Sequence, residues 1–250
     1  MAYDIRPLSF GEILDRGFRV CREHFPLLAG ITFSLFIPYG VLLALGEIHK
    51  AFAVIGILLF VILVPVMIAA LTLAVASVCL DQPMTVVDAY QATRPILPAL
   101  IGTYVLFYAL LILAGIALLI PAIYFGICWS LVVPVMIVER RFGMDALRRS
   151  RGLVRGSWWR TLGVFFVAAL IVEVPVGVLQ LFWAFIPFLG HILGQAAAAV
   201  ASTYSGAVVV IYYFDRRCRT EDFDLRLLSE QIRMEGEPGL TAAPGSSSLA

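Results

Sequence analysis

Six long apolar runs dominate the chain, at 25–46, 51–80, 96–119, 122–138, 160–182 and 186–214. Within them polar positions neither alternate nor recur at a helical period, and Glu173 is the one interior acid. A run of about 20 apolar residues is what a bilayer crossing needs, whereas the helix of a soluble domain keeps a polar stripe. The pattern predicts an all-α, polytopic membrane bundle of six transmembrane helices. The breaks after the first, third and fifth runs, "GEIHK", "LIPAI" and "FWAFIPFLGH", are short and marked by glycine or proline. Consecutive crossings are therefore expected to return as three antiparallel hairpins.

A different pattern precedes each hairpin. "SFGEILDRGFRVC" (9–21), "TVVDAYQATRPIL" (85–97) and "FGMDALRRSRGLV" (142–154) each carry an acid followed by an apolar pair, with further small or apolar positions a helical turn later. In the third, Ala146, Leu147, Ser150, Leu153, Val154 and Trp158 share one face, with Arg148, Arg151 and Arg155 opposite. This is the pattern of an interfacial amphipathic helix, and one is expected before every hairpin. Ser9-x-x-Glu12 and Thr85-x-x-Asp88 predict capping boxes for the first two. The third has no Ser/Thr cap. Residues 1–234 thus form one membrane domain, and "GEPGLTAAPGSSSLA" at 235–250 is expected to be a disordered tail.

Composition agrees with this reading: 61% of residues are hydrophobic and 14% charged, with a mean hydropathy of +0.96. The net charge of +1 says little, but its distribution says more. Seventeen arginines lie in the N-terminal segment, the linker between crossings two and three, the stretch 140–160 and the C-terminal segment, whereas the single lysine, Lys50, falls on the other side. Cytoplasmic loops accumulate such residues, which predicts an inner-membrane protein with both termini inside. The first 24 residues are too long and too charged for the leading region of a signal peptide. Cysteines 21, 79, 128 and 218 form no close pair, and no cysteine–histidine spacing suggests a metal or cofactor.

The stretch "VPVMIVERRFGMDALRRSRGLVRGSWWRTLG" resembles the bacterial family called glycerophosphoryl diester phosphodiesterase membrane domain, related to the YciC-like membrane proteins. The matching positions are Pro134, Glu139, Ala146 to Ser150, Trp159 and Arg160. "RPLSFGEILDRGFR" and "YYFDRRCRTEDFDLRLL" resemble it too, through Asp215, Arg217, Arg219, Glu221, Phe223, Asp224 and Leu225, with Asp222 where that family usually has glycine. The resemblance implies a membrane domain without the phosphodiesterase domain to which some members are fused.

No fingerprint of a hydrolase, nucleotide-binding loop or zinc enzyme occurs, and the histidines at 24, 49 and 191 are scattered. Glu173 lies about 13 residues beyond Arg160, roughly 20 Å along a helix. It reads either as part of a proton or substrate path with Gln180 and Gln195, or as a protonated group bonded to a neighbouring helix. Arg148, Arg149, Arg151 and Arg155 read either as a site for lipid phosphate or as a topological anchor. Glu12, Arg16, Glu139, Asp145, Asp215, Arg217, Arg219, Glu221 and Asp224 are expected to form a cytoplasmic charge network or partner-docking site. Trp158, Trp159, Tyr212 and Tyr213 read as an interfacial aromatic belt. The leading expectation is a non-catalytic protein that engages anionic phospholipid and supports a membrane or cytoplasmic protein partner, with no role for nucleic acid. The alternative is a transporter or lipid-translocating protein using Glu173, and an intramembrane enzyme stands third.

Overall fold

A computed structural model describes residues 7–82, 84–117, 119–183, 185–186 and 188–221. Asp224 and the tail 235–250 lie outside the described residues. The described chain is helical: α1 (Phe10–Glu23), α2 (Phe25–Leu45), α3 (Lys50–Cys79), α4 (Val86–Thr93), α5 (Leu97–Ala117), α6 (Leu119–Cys128), α7 (Val132–Val138), α8 (Met144–Val154), α9 (Trp158–Trp183) and α10 (Leu189–Glu221). Six segments are long and apolar enough to cross a membrane: Phe25–Leu45, Lys50–Cys79, Val86–Ile116, Ile120–Val138, Trp158–Trp183 and Leu189–Glu221.

Local chemistry starts the short helices. At α1 the Ser9 hydroxyl accepts from the Glu12 amide, and the Glu12 carboxylate accepts from the Ser9 amide at 2.6 Å. Thr85 and Asp88 make the same reciprocal pair at α4. Each box satisfies two amides that a helix N-terminus would otherwise leave unpaired. α8 has no such cap and starts from Gly143 at φ +61°, ψ −138°. That backbone region is essentially restricted to glycine.

α10 is the centre of the bundle, packing against α1, α2, α3, α7, α8 and α9. Its apolar window is 61% buried, against 17% for α9. Small residues allow that approach: a Cβ on Gly40 of α2 would stand 3.1 Å from the Ile192 backbone, and one on Gly17 of α1 would stand 2.7 Å from Val208. Outward, α3, α5 and α9 expose Val61, Ile112, Leu113 and Val178, as a bilayer-facing surface requires.

Three expectations change. The fourth run is not one helix, because α6 ends at Cys128 and α7 begins at Val132. The sixth does not stop at 214; its 33 residues span about 50 Å at ~1.5 Å each, longer than the roughly 30 Å hydrocarbon core, so its charged end continues the same helix. The apolar faces of α1 and α8 are covered by protein: Ile13 and Val20, and Ala146, Leu147, Leu153 and Val154, are all at most 1% exposed. Hydrophobic burial within the bundle accounts for those faces.

Candidate functional site

At the basic end, α7 stops where Glu139 caps it, and the Glu139 side chain is only 9% exposed. Arg149 of α8 binds it with two donors, Nε to Oε2 at 2.7 Å and Nη2 to Oε1 at 3.0 Å. Tyr213 of α10 donates its hydroxyl to the same carboxylate at 2.9 Å. Arg149 also pairs with Glu221, to which Arg217 donates at 3.1 Å. Burial works to lower the Arg149 pKa, but the hydrogen bonds and charges of Glu139 and Glu221 outweigh it and hold it above its ordinary value. The forked geometry is what makes arginine suited to such a pair.

A second hub forms at Asp215, whose side chain is 0% exposed. It accepts from the Leu8 amide at 2.7 Å and from Arg219 Nε at 3.0 Å, with Arg160 of α9 at 3.5 Å. Arg160 and Arg219 both donate to the Leu8 carbonyl, at 2.6 and 2.7 Å. The segment before α1 is thereby fastened to the ends of α9 and α10. Arg216 donates to the Leu153 carbonyl at 2.9 Å and so satisfies a group at the open C-terminal end of α8.

Arg148, Arg151, Arg155, Tyr124, Cys128 and Trp158, among others, line a cavity of about 600 Å³. The three arginines are exposed, and their guanidinium groups make no ion pair or hydrogen bond with any described residue. They stand on the outer face of α8 because its inner face carries the buried apolar set. Trp158 stacks on Tyr124 with ring centroids 6.0 Å apart and planes 20° apart, forming an aromatic wall beside them. The arrangement offers three free guanidinium groups and a flat apolar surface to one anionic ligand.

Sequence reasoning grouped Arg149 with Arg148, Arg151 and Arg155; the structure separates it from them. Of the expected charge network, Glu139, Asp215, Arg217, Arg219 and Glu221 meet at the two hubs. Glu12 is in the α1 capping box, Arg16 lies near Cys79, and Asp145 sits exposed in the first turn of α8. Glu173, Gln180 and Gln195 are not joined: Glu173 and Gln180 are exposed on α9, Gln180 lies against Gly194, and Gln195 lies against Gly40. Tyr212 and Tyr213 are fully buried rather than belt residues, and Tyr212 shares a 2.7 Å hydrogen bond with Thr161.

Arg216 and the Leu8 backbone are contacts the sequence does not single out, and Arg160 and Tyr213, marked there only as a family-pattern position and a belt residue, join the hubs. Their partners are distant in the chain, and no local spacing marks them. Ser150 was placed on the inner face of α8 without a role. Its buried hydroxyl donates to the Cys128 carbonyl at 2.9 Å and accepts from the Leu131 amide at 3.2 Å, bridging the break between α6 and α7.

No curated protein and no solved structure matches the chain. The family model described as Domain of unknown function (DUF8558) matches residues 90–232, a stretch that holds Arg148, Arg151 and Arg155 and every hub side chain, with the Leu8 backbone outside it. Since that is more than half of the 250 residues, the chain belongs to the DUF8558 family.

Proposed function

We propose that this chain is a non-catalytic, multi-pass protein of a bacterial inner membrane that binds an anionic phospholipid headgroup at its basic end and supports a partner enzyme or envelope process there. The carrying observation is the convergence of Arg148, Arg151 and Arg155 on one cavity with no carboxylate paired to them among the described residues. Other arginines nearby, among them Arg149, Arg160, Arg217 and Arg219, are paired with acids. Three cations left free in one cavity are what a phosphate-bearing ligand would complete, and Trp158 and Tyr124 suit the glycerol and upper acyl region of a lipid.

On this reading the six crossings form three hairpins with both ends of the chain in the cytoplasm, and α1, α4 and α8 lie at the cytoplasmic surface. The resemblance to the glycerophosphoryl diester phosphodiesterase membrane domain family supports the partner role. Glu173 is exposed and makes no hydrogen bond to Gln180 or Gln195, which gives no support to a transport path through them.

The test is native mass spectrometry of the full chain with phosphatidylglycerol or cardiolipin. Each near-surface cation contributes about 1 kcal/mol toward anionic lipid, so removing all three would lower occupancy by about a hundredfold if the contributions added. Replacing Arg148, Arg151 and Arg155 together by lysine keeps the charge but removes forked hydrogen bonding, and should also reduce retention. Equal retention by wild type and the triple-lysine variant would show that the arginines act as an orientation signal only.

A further inference from the structure

We infer that a second, chemically different site lies inside the membrane-spanning part of the fold: a cavity among α2, α3, α5, α7 and α10 that takes a neutral lipid carrying an ester oxygen, of the diacylglycerol kind. The cavity measures about 390 Å³ and is walled chiefly by Phe36, Phe60, Met67, Phe107, Trp129 and Val209. That volume is within the roughly 300–1,000 Å³ of ligand pockets. The exposed Tyr108 belongs to its wall, so the cavity reaches the surface that faces the bilayer.

The hydroxyl groups give the argument its direction. A serine or threonine inside an apolar helix ordinarily donates back to a carbonyl about one turn earlier. Thr32, Thr72, Thr103, Ser130 and Thr203 all do so. Ser202, Ser205 and Tyr104 differ: all three line the cavity, and their hydroxyls make no hydrogen bond to a described residue. Tyr104 is only 7% exposed. No fully buried side-chain oxygen among the described residues lacks a partner, so the unpaired Tyr104 hydroxyl is accessible from the cavity it lines. Three spare donors facing one apolar space therefore call for an occupant that supplies an acceptor.

The charge and depth of the site narrow the occupant. None of the residues lining the cavity is charged, so an ionised carboxylate or phosphate would enter without a counter-ion. Ser205 and Ser202 precede Asp215 by 10 and 13 residues, which puts them roughly 15 to 20 Å from the charged layer at ~1.5 Å per residue. A phospholipid held by its headgroup at the arginines would keep its phosphate near that layer. A headgroup-free acyl ester can reach the serines. Trp129 and Ser130, in the break between α6 and α7, form part of the wall.

The experiment places the full chain in phosphatidylcholine vesicles containing a diacylglycerol with a photoreactive diazirine in one acyl chain, and maps cross-linked residues by mass spectrometry. Labelling should concentrate at Met67, Phe107 and Val209 over the bilayer-facing Ile112 and Val178. Tyr104→Phe, which keeps the shape of the side chain, should lower it about fivefold, the change expected for one lost hydrogen bond. A diazirine alkane without oxygen should not respond to that substitution. Ser205→Leu, which fills the space, should abolish labelling, and replacing Arg148, Arg151 and Arg155 by lysine should leave it unchanged. Labelling no stronger in the cavity than at Ile112 and Val178, or undiminished in Tyr104→Phe, overturns the inference.

Discussion

Asp215 shows how one residue can fix the meaning of several others. Its carboxylate is fully buried, and Arg160, Arg219 and the Leu8 amide all address it. Breaking a buried pair by removing one partner costs about 3–5 kcal/mol, because the remaining charges are left uncompensated. Asp215→Ala should therefore lower the thermal unfolding midpoint in detergent sharply. Asp215→Asn, which can still accept from Leu8, should lower it less. Equal midpoints for wild type and Asp215→Ala would mean that the hub is not needed for stability. The sequence marked Asp215, Arg217, Arg219 and Glu221 as a charged group, because alternating charges at the end of an apolar run are visible locally. It could not tell Arg149 from Arg148. Helical spacing put Arg148, Arg151 and Arg155 on one face, but the carboxylates that claim Arg149 stand 10 and 72 positions away, at Glu139 and Glu221.

The fourth crossing carries the corresponding lesson for elements. Hydropathy delimited it well, since the apolar span Ile120–Val138 nearly coincides with the run at 122–138. Its interruption was not legible, because Trp129, Ser130 and Leu131 do not read as a break, and the group that bridges it arrives only at Ser150. In a bilayer there is no water to pair freed backbone groups, so a broken helix persists where protein satisfies them. Ser150 does this with one hydroxyl, to the Cys128 carbonyl and from the Leu131 amide. Thr103 has a similar role at the start of α8, accepting from the Gly143 amide at 2.8 Å. Ser150→Ala leaves two buried backbone groups short of a partner and should destabilise the protein by about 1–3 kcal/mol. Hydrogen exchange should meanwhile rise at Leu131 and not at the α10 core. Unchanged exchange at Leu131 would show that the bridge does not hold the break.

At the scale of the whole molecule, α10 links the two ends. Near Leu189, His191 meets Glu47 at 2.9 Å, in the turn just before Lys50 opens α3; at the other end, Asp215 to Glu221 join the arginine layer. Because α10 is longer than a bilayer is thick and its charges are gathered at one end, sliding it through the membrane would bury paired arginines in hydrocarbon. The proposed topology, with the arginine-rich end in the cytoplasm, rests on the uneven distribution of 17 arginines and one lysine. Alkaline phosphatase, active only outside the cytoplasm, reads this directly. An insertion after Glu47 should be active and a fusion after Glu221 inactive. The reverse pair of activities would put Arg148, Arg151 and Arg155 on the outer face. There they would meet a different leaflet, and the proposed headgroup site would lose its cytoplasmic partner along with its orientation.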